Sequence, residues 1–406
     1  MPSRVYISGF SCRFPKANSA RSFWNNLINH VDMVSEQSDR WPAGAYGIPK
    51  RFGTLQDINK FDASFFEVHP KQAHKMDPQL RKLLEVSYEA ILDAGLQPEM
   101  LRNKKVGVFI GAHSSDSQCN FSNQPEAMTG YENTGTTLSM LANRLSFYYD
   151  FTGPSMTIDT ACSSSLTALD VAVTALLDKR CDYALVGGAN LILNPAISVG
   201  FVRLNMVGEE GVCRSFDEQG KGYARSEGIG ALFLTRDDAT SRKRARVLAT
   251  GVNSDGHTSE GITFPNGSAH QRLLEETYLR AGIDIDRIEY IEAHGTGTPA
   301  GDPQEVNALS RFTGHRSRPL YIGSVKSNMG HAEGAAGMAG LIKVLLMMEH
   351  GEIPANLHFN QANKKITGLH DGTIEVVAKN QAYKGGIVGI NSFGFGGTNA
   401  HVILEP

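Results

Sequence analysis

The sequence predicts an α/β protein built from two packed halves with mostly parallel sheets, and three observations predict it. Strand-like and helix-like patterns alternate along the chain. The length, 406 residues, exceeds the roughly 250–300 residues at which a single core stops growing. Two segments, CSSSLTALDVAVTALL and GHAEGAAGMAGLIKVLL, each place a reactive type of residue before a helix almost free of charge. A helix apolar all round belongs between layers. The small residues Ser164, Ser165, Ala168, Ala335, Ala336 and Ala339 let such helices pack closely. The pair hints at an internal duplication, with halves over 1–245 and 246–406.

The elements follow in order. A strand is expected over 5–10, a helix over 22–29, and a Gly- and Pro-rich surface loop over 40–55. Leu80, Leu83, Leu84, Ser87 and Ile91 recur at helical spacing, so 77–94 reads as a helix ended by Gly95. A buried strand follows over 106–111 and a helix over 136–147. Next come a strand over 155–158, a tight turn, and a helix from about Cys162 to Lys179. Strands over 184–187 and 230–235 flank a long glycine-containing loop over 206–228, a length that usually signals function. The second half reads as strands over 247–252, 288–293 and 320–324 and helices over 270–281, 303–312 and 337–348. Strands over 387–391 and 401–404 close it.

Composition narrows the function. Lys plus Arg is 39 and Asp plus Glu 42, a net charge of −3. That balance gives no electrostatic case for nucleic acid or a charged membrane surface. No run of about 18 apolar residues suggests a membrane span. The start, MPSRVYISGF, reads as a strand and not as a signal peptide. The five cysteines form no CxxC pair, which argues against zinc and a disulfide framework and for a reducing, cytoplasmic setting.

Cys162 lies in DTACSSSL, at a turn between a strand and a helix. A helix N-terminus lowers a thiol's pKa, and its N–H groups can stabilise an oxyanion. The competing reading is a buried, inert cysteine. His294 lies in EAHGTGTPAGD at the C-terminal end of a strand, where ligands of α/β sheets gather. Gly295, Gly297 and Gly301 allow a ligand chain close to the backbone. Thr296 and Thr298 offer hydroxyls to an amide-bearing arm. A phosphate loop is the alternative there, but the Lys-Ser/Thr pair of a Walker motif is missing. His331 lies in KSNMGHAEGAAG, flanked by Lys326 and Glu333, which either orient it or form an ordinary surface ion pair. NSFGFGGTNAH fits a turn placing Phe393, Phe395 and backbone N–H groups beside Cys162 better than it fits a nucleotide loop.

One cysteine and two histidines beside flexible glycines suit one reaction. A malonyl thioester loses carbon dioxide and leaves an enolate, whose oxygen two imidazole N–H donors stabilise. The carbanion then attacks an acyl group held on the cysteine. Both imidazoles must be neutral, with the proton on the nitrogen facing the substrate.

Taken together and in order, VYISGFSCRFP, MDPQLRKLLE, NRLSF, GPSMTIDTACSSSL, EAHGTGTPAGDPQE, KSNMGHAEGAAG and NSFGFGGTNAHVILEP resemble the β-ketoacyl synthase family of the thiolase superfamily. The resemblance covers nearly the whole chain. It implies a duplicated five-layer αβαβα fold and a homodimer. It implies Cys162 as nucleophile and His294 and His331 as the decarboxylation and condensation pair. The N–H groups of Cys162 and Phe395 form the implied oxyanion hole, and Phe395 the implied gate. Thr296 and Thr298 match positions touching phosphopantetheine, and Lys326, Glu333 and Phe393 match the supporting shell. No cofactor is implied for the domain itself; substrates arrive on the phosphopantetheine of an acyl carrier protein. CSSSL and the stretch over 40–91 are most similar to animal fatty-acid synthases and the animal polyketide synthases related to them. Further megasynthase domains are therefore expected, with this chain ending where a linker to an acyltransferase would follow. The acyl pocket is expected near 135–140 and 196–204.

Other classes fit less well. A degradative thiolase needs a late second cysteine, and none follows Cys213. Chalcone-synthase-like enzymes carry Asn where this chain has His331. A non-catalytic partner that sets chain length or dimerises would have lost Cys162, as would a decarboxylase-only loading domain.

Overall fold

Asp77 begins a helix by accepting the Gln79 N–H at 2.8 Å, with Pro78 at the first helical position. This helix, α1 (Pro78–Asp93), buries Leu80, Leu83, Leu84, Ser87 and Ile91 completely and ends ahead of Gly95, whose φ is +77°. It is the expected 77–94 element, and its apolar stripe lies on a sheet. The computed structural model describes residues 4–37, 39–122, 126, 128–236, 240 and 242–406. Residues 1–3, which open the expected first half, lie outside the described residues.

The first half supplies β1 (Val5–Arg13), β2 (Val106–Ala112), β3 (Ser155–Ile158), β4 (Tyr183–Asn190) and β5 (Gly228–Arg236). The second supplies β6 (Ala245–Ser254), β7 (Ile288–Glu292), β8 (Leu320–Gly323), β9 (Ile374–Val376), β10 (Ile387–Phe393) and β11 (Thr398–Glu405). Their order is β9-β8-β7-β10-β11-β6-β1-β5-β4-β2-β3. Within the first half the strands run third, second, fourth, fifth, first. Setting aside the edge strand β9, the second half repeats that order. The two meet where β1 pairs with β6 over three residues, Val5–Ile7 against Ala245–Val247.

Helices α2 (Ser164–Leu177) and α5 (Ala336–His350) each touch strands of both halves, so they form the middle layer. Ser165 accepts the Met338 N–H at 3.0 Å, and a Cβ on Gly337 would stand 2.5 Å from Leu166 Cγ. The small-residue contact expected of these helices is therefore realised. α1 covers the outer face of the first half; α3 (Gly267–Ala281) and α4 (Gly301–Thr313) cover that of the second. The layers read helix, sheet, helix, sheet, helix.

One charge lies inside α5. Lys343 is fully buried, 2.7 Å from Glu292 and 2.9 Å from the Tyr290 hydroxyl, both on β7. Tyr290 donates to the same Glu292 oxygen at 2.8 Å, and the other carboxylate oxygen accepts the Val325 N–H at 2.6 Å. A buried charge costs little only when satisfied in this way.

Several expectations are corrected. The sheet is mixed: five of its ten pairings, among the described residues, are antiparallel. β10 returns to β11 through a short hairpin, and only a crossover connection makes neighbours parallel. The helix expected over 136–147 begins at Met140, because Tyr131–Thr136 forms its own helix and Thr137 is extended. The expected surface loop over 40–55 buries Trp41, Ile48 and Phe52 in a cluster with Ile192. The helix Pro195–Arg203 and strand β9 carried too weak a pattern to be anticipated.

Candidate active site

The third strand of each half delivers a reactive residue. β3 runs into Asp159, Thr160 and Ala161, and a single 3₁₀ turn carries Cys162 into α2. Ala161 adopts φ +56°, a left-handed conformation that is strained for any residue with a Cβ. β8 leads to the short helix Lys326–Met329 and then His331, ahead of α5. The second strand of the later half, β7, delivers His294. Reactive atoms of Cys162, His294 and His331 all lie within 4.8 Å of one another. All three line one cavity of about 260 Å³.

Backbone donors set the state of both imidazoles. The Phe393 N–H points at His294 Nδ1 at 3.3 Å, and the Glu333 N–H points at His331 Nδ1 at 3.1 Å. A nitrogen that accepts carries no proton, so each Nε2 holds it. Burial, followed by the charges of neighbours such as Lys326, pushes His294 well below the usual imidazole range. Burial takes His331 to about 4, opposed by Glu333. Both rings are neutral near pH 7, and His331 Nε2 has no hydrogen-bond partner among the described residues. The three side chains also have the composition of a zinc site, but a protonated Nε2 is a donor and not a metal ligand. The cluster fits an oxyanion better than a cation.

The thiol corrects the sequence reading. Its pKa is pushed up to about 12, first by burial and then by the Glu333 carboxylate, whose Oε2 lies 3.9 Å from the sulfur. The N–H groups of Phe395 and Cys162 and the charge of Lys326 pull the other way without winning. Position at a helix start therefore does not make a resting thiolate, because desolvation outweighs the dipole. The rate of Cys162 alkylation by iodoacetamide should rise about tenfold per pH unit from pH 6 to 9, as thiolate grows below a pKa near 12. A plateau near pH 7 in a peptide-resolved measurement would contradict this.

Glu333 and Lys326 are both buried, so the surface-pair alternative fails for them. Glu333 pairs with Arg225 at 3.1 Å; burial raises its carboxyl, but His331 and Arg225 hold it below the usual range. It steadies His331 through its backbone N–H. Burial lowers the Lys326 amine, against the attraction of Glu292 and Glu305.

Thr296 and Thr298 line the cavity with their hydroxyl oxygens 3.1 Å apart. The Gly297 N–H between them donates to Asp302, and Glu305 accepts the N–H groups of His294 and Gly295 at 2.7 and 2.8 Å. The hairpin Gly394–Gly397 brings in Phe395, half-buried and edge-on to Phe201 at 6.0 Å. Any side chain on Gly394 would strike the Thr160 carbonyl, so the hairpin lies directly on the cysteine turn. Ser392 donates to the Cys162 carbonyl at 2.8 Å.

Of the expected acyl-pocket segments, Leu204 lines this cavity and 135–140 do not. Sequence reasoning passed over four contributors. Arg225 neutralises Glu333, and Tyr223 packs edge-on to His331 at 4.8 Å. His270 stacks on Phe393 at 3.9 Å, and Glu305 anchors the His294 loop. Only Glu305 had a signal, the acidic residues of GDPQE beside the histidine motif.

Comparison with known proteins adds a lineage. Residues 2–239 match the family described as "Beta-ketoacyl synthase, N-terminal domain" and 244–360 its C-terminal domain. Residues 362–406 match "Ketoacyl-synthetase C-terminal extension". A fatty acid synthase from Anser anser anser is 51% identical over 86% of this chain and 99% of that sequence. A partially reducing polyketide synthase from Menisporopsis theobromae is 40% identical over 99% of this chain, which spans 16% of that protein. An oxazolomycin ketosynthase domain from Streptomyces albus superposes with a TM-score of 0.94 at 38% identity, covering 99% of this chain and 75% of that one. A ketosynthase from the bacillaene synthase of Bacillus subtilis gives 0.91 at 35%, covering 99% and 72%.

Proposed function

The chain belongs to the β-ketoacyl synthase family, and we propose that it condenses a Cys162-bound acyl group with a malonyl or methylmalonyl thioester. It is a ketosynthase domain with the thiolase-like fold, an acyltransferase-class enzyme of fatty acid or polyketide synthesis. The observation that carries the residue assignment is the meeting of one sulfur and two Nε2–H imidazoles within 4.8 Å.

The acyl thioester enters past Thr296 and Thr298. Cys162 Sγ attacks its carbonyl carbon, the thiol gives up its proton, and the carrier leaves as a free thiol. The developing oxyanion takes hydrogen bonds from the Cys162 and Phe395 N–H groups. A malonyl thioester then replaces the first carrier. Its carboxylate leaves as carbon dioxide, and the electron pair moves onto the thioester oxygen between His294 and His331. The α-carbon attacks the Cys162 thioester, forming a carbon–carbon bond and releasing the sulfur, which regains a proton. Phe395 stands where it can swing between these two half-reactions. Lys326, Glu333 and Phe393 hold the imidazoles and their field.

Carriers reach such a site on phosphopantetheine, so the partner is an acyl carrier protein within a multidomain synthase. β3 lies at the open edge of the sheet and leads straight to the cysteine turn; an edge strand invites pairing, which supports a homodimer through it. The repeated strand order supports division at 245/246. Five free cysteines accord with the cytoplasm, and no helix among the described residues is long and apolar enough to cross a membrane.

Incubation with an acyl thioester should add one acyl mass to the intact chain, and Cys162→Ala should abolish the adduct. No adduct on the wild type, or an equal one on the variant, would leave the non-catalytic partner as the better reading.

A further inference from the structure

Each repeat carries a histidine within two residues of the end of its second strand, but the two point to different places. In the later half, β7 delivers His294 into the cavity. In the earlier half, β2 ends at Ala112, and His113 takes the matching place in the fold. His113 does not line the cavity. Its Nδ1 lies 3.1 Å from Asp159 Oδ1, and that same oxygen accepts the Ala161 N–H at 2.9 Å. Ala161 is the strained residue immediately before Cys162. The backbone nitrogen of His113 would lie only 2.9 Å from a Cβ on Gly334, so the turn carrying the imidazole is pressed against the Glu333 turn.

We infer that His113 is a positioning residue: it fixes Asp159, which ties down the Ala161 N–H and so holds Cys162 in reach of the Phe395 N–H. This rests on Cys162 being the nucleophile. A left-handed alanine persists only where its surroundings over-determine it. Within the turn, the Asp159 carboxylate is the acceptor that holds the Ala161 N–H. That carboxylate is itself half-exposed, and without a second donor it is free to rotate. The charged groups around His113 are Asp159, Glu333 and Arg225. The hydrogen bond to Asp159, ahead of the opposing cost of burial, raises the imidazole's pKa. The neutral ring still offers Nδ1–H to Asp159, so the clamp holds on both sides of neutrality. Side-chain replacement is therefore the sharper test.

Cys162 is followed by peptide-resolved iodoacetamide alkylation, by acyl loading and by steady-state condensation. His113→Ala should slow alkylation and loading about tenfold, the loss of one charge-assisted hydrogen bond expressed as a rate. The KM for the acyl thioester should not change, because His113 stands outside the cavity. His113→Asn puts an amide N–H near the position of Nδ1 and should restore the rate to within about threefold of wild type. Wild-type rates in the alanine variant would overturn the inference. So would a raised KM at unchanged kcat, or an asparagine variant as slow as alanine with an unshifted melting temperature. Alkylation needs no condensing activity. A chain that shows the alkylation difference but never condenses malonyl would keep the clamp and lose the proposed function.

Discussion

His331→Ala should still load an acyl group on Cys162 but release carbon dioxide from a malonyl thioester about 100- to 1,000-fold more slowly, the usual cost of one oxyanion donor. In the proposed mechanism acyl loading draws on the N–H groups of Cys162 and Phe395, which the substitution leaves in place. Decarboxylation in that mechanism draws on the Nε2–H of His331, a buried donor with no hydrogen-bond partner among the described residues. The charge it meets exists only as the enolate forms, so the loss falls on kcat. His331→Gln, which retains a donor, should lie between the two. Paired measurement of carbon dioxide release and of intact mass separates the steps. Normal condensation by the alanine variant would remove His331 from the mechanism.

Lys343→Met should lower folding stability by about 3–5 kcal/mol, the cost of stranding one partner of a buried ion pair. Glu292 would keep the Tyr290 hydroxyl and the Val325 N–H but lose the cation 2.7 Å away. The pair ties the middle helix α5 to β7, and β7 ends two residues before His294. The double variant Lys343→Met with Glu292→Gln should recover a large part of the loss, since no charge is then left unpaired. Urea midpoints at constant m-value read both effects. A midpoint for the single variant equal to wild type would show that water reaches the pair.

The strong periodic elements were legible because local chemistry marks them. Asp77-Pro78 opens α1 and Gly95 closes it, as side-chain capping and a left-handed glycine dictate. The meeting of Cys162, His294 and His331 could be anticipated because each lies between a strand and a following helix, among small residues. The features that stayed hidden are non-local or belong to the backbone. Arg225 meets Glu333 across 108 positions of sequence, and no spacing rule links them. The donors that set the imidazole tautomers are N–H groups of Phe393 and Glu333, which every residue but proline possesses. The thiol was misjudged because a helix start can be read from sequence, whereas its desolvation depends on the groups packed over it. Strand direction was misjudged because strand–helix alternation does not reveal which connections cross over.

The hairpin over residues 394–397 has a bearing on the order in which this molecule comes together. The closing strand β11 pairs with β6, laid down roughly 150 residues earlier in synthesis, and such distant pairings are slow to form. Until this segment has been added to the sheet, the sulfur has neither its roof nor its Phe395 donor, and water has free access to it. Turnover therefore requires a pairing between segments far apart in sequence, and an active sample is one in which β11 has joined β6.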